Sequence, residues 1–399
     1  MTRVIIDIHI LQTVPPSNLN RDDTGSPKTA VYGGVRRARV SSQAWKRATR
    51  KAFEDLLDPS ELGVRTKRVA EQIANRMTAL EPSLSSTEAV AVAVEVIKAA
   101  TGAKSEVPKR KSAAGKTDQD AAAALPETGY LMFLSASQLD NLARLGVEGS
   151  KDITAFLKDK DFKNRVRQAA DTRHSVDIAL FGRMVADSAD INVAAAAQVA
   201  HAISVHTVEN ESDYFTAVDD RSTDAEPGAG MIGIVDFNAA TFYRYAALDV
   251  NRLAENLGTG LLEEASQTEP VRRAVEAFIK GFVLSMPTGK VNTFGNHTVP
   301  DLVLVKLRTT RPISFAAAFE EAIGAGDGQG GYLKGACERL AGYIPKLEKA
   351  YDLQEDTESW VVCASSATEA LEEAGEQVSI SQLLEAVGSA VTARLASGA

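Results

Sequence analysis

The apolar period of this chain changes twice along its length, and that switch limits the folds open to it. Val4, Ile6, Ile8 and Ile10 alternate with Ile5, Asp7, His9 and Leu11, which predicts a strand with one well-buried face. After Asp58-Pro59 the apolar residues recur at helical spacing instead, as in Val69, Ile73, Met77 and Leu80. Strand character is expected again at Ser175–Phe181, in two runs at Ile203–Val218 and Met231–Tyr245, and at Leu302–Leu307. Strands interrupted by a mainly helical stretch from Asp58 to about Thr172 predict an α+β protein with a helical insertion.

Thr13–Gly34 is rich in Pro, Ser, Asn, Asp and Gly and reads as a long loop, a length uncommon unless the loop has a task. Ser41-Ser42 follows as a helix N-cap pair, and a helix is expected from about Gln43 to Leu57. Its inner face carries Trp45, Thr49, Ala52 and Phe53; Lys46, Arg47, Arg50 and Lys51 fill the opposite face. Ser105–Ala124 is low-complexity, small and basic. A helix is expected at about Val193–Ala202, and Asp219–Gly230 suits the tip of a long hairpin. Helices at Arg252–Leu257 and Glu269–Leu284 lead to the loop Pro287-Thr288-Gly289-Lys290, and the C-terminal part reads as helical pieces at Phe315–Ile323, Tyr332–Ala341 and Ile380–Leu395.

The chain contains no run of about 18 apolar residues, so no membrane span is expected. The residues after Met1 lack the apolar core of a signal peptide, and Cys337 and Cys363 have no metal-ligand spacing around them, so the cytosol is the expected compartment. The net charge is −9, but it is unevenly spread. Met1–Lys51 holds ten Lys/Arg against Asp7, Asp22 and Asp23, a local +7 that leaves −16 for the remainder. Such asymmetry points to a polyanion site on an otherwise acidic protein, although a solvated basic face has the same composition.

The strongest local signal is Tyr32-Gly33-Gly34-Val35-Arg36-Arg37-Ala38-Arg39, followed by Ser41-Ser42-Gln43-Ala44-Trp45-Lys46-Arg47. Paired glycines let backbone approach a ligand, arginines offer forked donors to phosphate oxygens, and a helix start presents free N–H groups to an anion. Other motifs carry less. Gly326-Asp-Gly328-Gln-Gly330-Gly331 matches a dinucleotide fingerprint but follows a helical pattern rather than a strand. Gly115-Lys116-Thr117 lacks the first glycine of a phosphate loop. His201 and His206 have the wrong spacing for two ligands on one helical face, and His9 and His174 read as core or hydrogen-bonding residues. Asp22-Asp23 and Asp219-Asp220 read first as turn formers, with a metal role as the alternative.

Several ordered blocks together resemble a known family. They are Asn18-Leu19-Asn20-Arg21-Asp22-Asp23, Tyr32–Arg39, Ser41-Ser42-Gln43, Phe181-Gly182-Arg183-Met184, Asp213–Asp220, Gly230–Gly233, Pro287–Lys290 and Asn296-His297-Thr298. In these the chain is similar to the CasC-type backbone subunit of type I-E CRISPR Cascade. The resemblance implies a ferredoxin-like (RNA-recognition-like) palm over 1–57 and 173–320, helical fingers over 58–172, and a β-hairpin thumb at about 203–235. An acidic helical region, 321–399, would follow. It further implies no catalysis and no cofactor or metal, with CRISPR RNA, the target DNA strand paired to it, other Cascade subunits and head-to-tail copies of itself as partners. Carried onto this sequence, the expected RNA contacts are Asn20, Arg21, Arg36, Arg37, Arg39, Ser42, Gln43, Lys46, Arg50, Arg183, Met184 and Lys290. Tyr214, Phe215 and Met231 are the expected thumb wedge, with Phe215 toward RNA and Tyr214 packed toward the palm. The competing function is a metal-dependent nuclease using Asp219 and Asp220.

Overall fold

In the computed structural model the described residues are 3–107, 125–172, 174–185, 191–217, 231–258, 268–324, 331–353 and 357–397. Contacts divide the chain into two units: Met1–Leu56 with Ala197–Val250 and Arg272–Ala399, and Leu57–Ala196 with Asn251–Val271. The insertion thus leaves the first unit at Leu57, against an expected 58, and returns at 197, against an expected 173.

The first unit is built on a ten-stranded sheet. Its strands are β1 (Ile5–Ser17), β2 (Thr29–Tyr32), β3 (Val35–Val40), β4 (Ala197–Val199), β5 (Ala202–Ser204), β6 (Glu211–Ala217), β7 (Met231–Asp249), β8 (Leu302–Arg308), β9 (Glu358–Cys363) and β10 (Glu376–Gln377). The spatial order is β10-β9-β8-β1-β7-β5-β3-β2, with β4 and β6 also on β7. Among the described residues only β9 and β10 pair in parallel. β1 lies between β7 and β8 (Ile8 opposite Ala246 and Val305), and every residue of β8 is buried, as expected of strands covered on both faces. Helix Leu333–Ala350 packs through Ala336, Leu340 and Ile344 into a core with Leu11, Tyr243, Leu304 and Phe315. Helix α1 (Ser42–Leu56) buries Trp45, Thr49 and Phe53. A Cβ at Gly281, in helix Glu269–Leu284, would touch Phe53 and Thr49, so these two helices meet closely.

Arg244 of β7 is buried, its guanidinium carbon 3.7 Å from the Trp45 ring centroid and 4.7 Å from that of Phe282. It donates to Gln12 Oε1 and to the Phe282 carbonyl. Stacking between two rings places the charge where indole and phenyl faces attract it. A second buried set joins Asp7, Arg308, Lys306 and Glu348 beneath Tyr245.

The second unit is mainly helical. Helices Val69–Leu80, Ser86–Thr101, Ala136–Glu148 and Lys160–Asp171 share one core, with Ile73, Met77, Val96, Leu142 and Val166 fully buried. Capping boxes Ser85/Glu88 and Ser135/Gln138 start two of them.

Several elements depart from expectation. Ser175–Phe181 is not a strand: Val176–Phe181 is a short helix, ended by Gly182 at φ +77°. A brief apolar run fits either element, and Asp177, accepting from Ser175 Oγ and the Gly63 and Ile178 amides, favours the helix start. Val193–Ala202 is not helical. Ala197–Val199 pairs with Leu248–Ala246, because docking on a sheet outweighs the helix preference of alanine. Between Thr13 and Gly34 the expected loop is shortened by the end of β1 and by β2. Phe315–Ile323 holds only a single tight turn, Ala316–Phe319, and the C-terminal region adds β9 and β10 as well as helices.

Candidate nucleic-acid interface

Four of the ten Lys/Arg of the basic segment line one open groove in the first unit, of about 990 Å³. One wall is the Leu19–Gly25 loop. Asn20 ties that loop to the helix start, its Oδ1 accepting from the Ser41 amide at 2.9 Å, while its carbonyl accepts from the Lys28 amide at 2.9 Å. Ser41 Oγ in turn accepts from the Ala44 amide, which caps α1. Asp22 closes the loop by accepting from the amides of Thr24 and Ser26 and from the Thr24 hydroxyl. Those hydrogen bonds, led by the Thr24 hydroxyl, hold its carboxyl below the usual range. Asp22 is therefore a turn former here.

The second wall is Met286–Gly289. At Gly289 a Cβ would collide with the carbonyl oxygens of Asn18 and Leu19, so only glycine permits this approach. Lys290 follows at φ 50° and starts the short helix Val291–Phe294. The floor is α1. Four-residue spacing aligns Gln43, Arg47 and Lys51 along the groove, beside Ala44 and Ala48. Arg21, Lys28, Arg47 and Lys51 bring four cations to a groove holding two carboxylates, Asp22 and Asp23.

The expected contacts are thus sorted. Asn20, Arg21 and Gln43 line the groove. Ser42 and Lys290 flank it in sequence without being among its lining residues. Lys46 and Arg50 sit half-buried on the flank of α1, and burial pulls the Lys46 amine below its usual pKa. Arg47, Lys51, Lys28 and Thr288 take the lining positions instead. For Arg47 and Lys51 the signal was present, since both follow Gln43 at four-residue steps; Lys28, in an irregular loop, offered none. Arg36 is exposed, and Arg39 is half-exposed, donating through Nε to the Thr29 carbonyl.

Two arginines are withdrawn from any ligand. Arg37 is fully buried and spends its donors on the carbonyls of Tyr32, Ser204, Phe319 and Glu320. It pins the β2–β3 hairpin, where a Cβ on Gly33 would overlap the Glu320 carbonyl. Arg183, in the second unit, is buried and donates to the carbonyls of Ile191 and Phe133 and to Gln138 Oε1, with Asp171 at 3.4 Å. Burial pushes its guanidinium down to about 10. Its neighbour Met184 is 85% exposed.

On the β6–β7 hairpin, Tyr214 pairs with Ile234 and Phe215 with Gly233. Tyr214, Ile232 and Ile234 share one face and are 61%, 59% and 67% exposed. Phe215, on the other face, is 38% exposed, and its ring covers Gly233 so closely that a Cβ there would collide with it. The expectation that Tyr214 packs inward is therefore corrected: the ring with a structural contact is Phe215, filling the space that Gly233 leaves open. Asp219, Asp220, Gly115–Thr117, Gly326–Gly330 and the side chain of Met231 lie outside the described residues. Among the described residues no group of three or more His, Cys, Asp or Glu could hold a metal ion.

Residues 6–386 match the CT1975-like protein family. The chain belongs to that family. This CT1975-like chain is also similar to two solved structures. One, "CRISPR RNA-guided surveillance complex, pre-nicking", is 36% identical at a TM-score of 0.80, over 97% of this chain and 100% of that one. The other, "CRISPR RNA-guided surveillance complex", is 32% identical at a TM-score of 0.71, over 97% and 99%. No curated protein matches the CT1975-like chain.

Proposed function

We propose that this chain is a guide-RNA-binding backbone subunit of a Cascade-type CRISPR surveillance complex, of the type I-E class, and is not itself an enzyme. Copies associate head to tail along CRISPR RNA, beside other Cascade subunits, and leave its bases free to pair with a target DNA strand. In this reading the ten-stranded unit contains the ferredoxin-like palm, the helical unit is the fingers, and the β6–β7 hairpin is the thumb. The observation that carries it is the groove: four cations from one loop and a helix, suited to phosphate oxygens. The likeness to CRISPR RNA-guided complexes over nearly the whole chain supports the same conclusion.

Co-expression with a CRISPR RNA and the other subunits tests it. The purified particle is expected to contain that RNA and, by electron microscopy, a row of this subunit. A particle free of RNA, or a closed twofold dimer, would count against the reading.

The hairpin gives a separate test. Base stacking on an aromatic ring contributes about 1–3 kcal/mol by alanine substitution. Tyr214→Ala is expected to weaken nucleic-acid binding by that order while changing unfolding stability by less than about 0.5 kcal/mol, as at other exposed positions. Phe215→Ala is expected to lower the melting temperature more, because it uncovers Gly233. Thermal unfolding and RNA binding of both variants decide between the two rings; equal stability losses would remove the distinction.

A further inference from the structure

At the edge of the basic surface one side-chain pair admits only one proton assignment. Arg39 Nη1 lies 3.2 Å from His201 Nδ1. A guanidinium nitrogen can only donate, so Nδ1 accepts, the imidazole is neutral and its proton sits on Nε2. The pair is held by the sheet. Arg39 stands on β3, anchored by its Nε to the Thr29 carbonyl at 3.2 Å, and His201 directly precedes β5, which pairs with β3 at Arg39–Ile203 and Val40–Ala202. His201 is exposed. Among the described residues the charged groups acting on it are Arg39 and, from the loop before β2, Lys28. Lys28 also lines the groove, so the pair adjoins it. Burial first, then the charges of Arg39 and Lys28, hold the imidazole below its usual pKa, which keeps it neutral near pH 7 in the free chain.

We infer that Arg39, His201 and Lys28 form a proton-gated phosphate site beside the groove, in which His201 takes up a proton as a phosphate of bound RNA arrives. The inference rests on the RNA-binding reading above. Adding a proton at Nδ1 sets one N–H against another, so the Arg39–His201 bond breaks. Two donors about 3 Å apart then share one acceptor position between them, which a phosphate oxygen fills. The anion offsets the repulsion from Arg39 and Lys28 and raises the imidazole pKa, so binding and protonation favour each other.

Other histidines are differently placed. His9 Nδ1 is buried against the Tyr243 hydroxyl, His206 is stacked on Tyr332 with Nε2 accepting from the Thr241 amide, and His174 Nδ1 meets Gln138 Nε2. His297 is exposed but lies in the segment after the Val291–Phe294 helix, and serves as a control.

The test is the affinity of a labelled single-stranded RNA for the full chain from about pH 8 to about pH 6, where one linked proton changes affinity by up to about tenfold per pH unit. Wild type is expected to bind more tightly as pH falls, and His297→Gln to behave alike. His201→Gln is expected to lose that rise, whereas Arg47→Ala with Lys51→Ala weakens binding at every pH and keeps it. An undiminished rise in His201→Gln overturns the inference. If the chain binds RNA at no pH, the functional reading fails. The site is then judged with tripolyphosphate, by following the His201 ring by NMR: an anion-induced rise of its pKa supports it, and an unmoved pKa overturns it.

Discussion

Replacing Arg47 and Lys51 together by alanine is expected to weaken binding to every guide sequence alike and to flatten its dependence on salt. Both residues face the groove from α1, where, on the proposed reading, phosphate contacts would release counterions from the RNA. For single strands each contact contributes about 0.7 to the slope of log affinity against log salt. Each one lost therefore removes a factor of about 2.6 from the affinity ratio between about 50 and about 200 mM salt. Losing both contacts lowers that ratio by roughly sevenfold. Lys46→Ala with Arg50→Ala is expected to do less, because these side chains lie half-buried beside the groove rather than in it. Filter binding over a salt series with two unrelated guides reads both effects. A loss confined to one guide would show base readout, and a larger loss from Lys46 and Arg50 would move the phosphate path to the helix flank.

The largest effect on stability is expected from Arg308→Leu. Arg308 is 1% exposed, its Nε 2.9 Å from Asp7 Oδ2 and its Nη2 2.7 Å from Glu348 Oε1. Lys306 reaches the same Glu348 at 3.0 Å, so two acids and two bases balance inside the core. Removing Arg308 leaves Asp7 buried with the Tyr245 hydroxyl and the Ile313 amide as its partners among the described residues. Breaking such a pair costs about 3–5 kcal/mol.

The pH dependence has a definite sign. Burial already pushes the Asp7 carboxyl up to about 6, against the opposing pull of Tyr245 and Arg308. A carboxyl raised on folding holds a proton that the unfolded chain has released. Its contribution is present below the unfolded value and is lost as pH rises through the folded one. Without Arg308 that pKa rises further. The deficit of Arg308→Leu is therefore expected to be smaller at about pH 5 than at about pH 8. Urea unfolding at the two values reads it, and the reverse order would show that Asp7 is not the group left unpaired. Asp7→Asn added to Arg308→Leu should recover much of the loss at the higher pH.

Much of this architecture is legible in residue order, because period and breaker residues act locally. The alternation at Val4–Leu11, the apolar stripe through Trp45, Thr49 and Phe53, and the helix Glu269–Leu284 each depend on neighbours in the chain. The groove was legible as a composition and less so as a surface. Gln43, Arg47 and Lys51 share a helix face by arithmetic, but which cationic face lies open depends on what Trp45 docks against. Arg37 and Arg183 show the limit. Their donors end on carbonyls from residues far along the chain, such as Ser204 and Phe319 for Arg37 and Phe133 for Arg183. Nothing in their immediate sequence separates that use from phosphate binding. Val176–Phe181 failed for a different reason, since a buried run of that length has no period of its own.

The nineteen-residue strand β7 has a consequence for how this chain can change over generations. It runs unbroken from the hairpin, where Met231–Phe237 pairs with β6, to the sheet centre, where Asn238–Asp249 pairs with β1. At about 3.3 Å per residue it spans roughly 60 Å without a joint. Losing one residue between Met231 and Asn238 would turn the outer part over, exchanging the Tyr214 and Phe215 faces relative to the sheet. Insertions that arise in pairs keep the two faces in place and alter only the reach. The length of the hairpin can therefore drift by even steps, while an odd step reverses the side it presents.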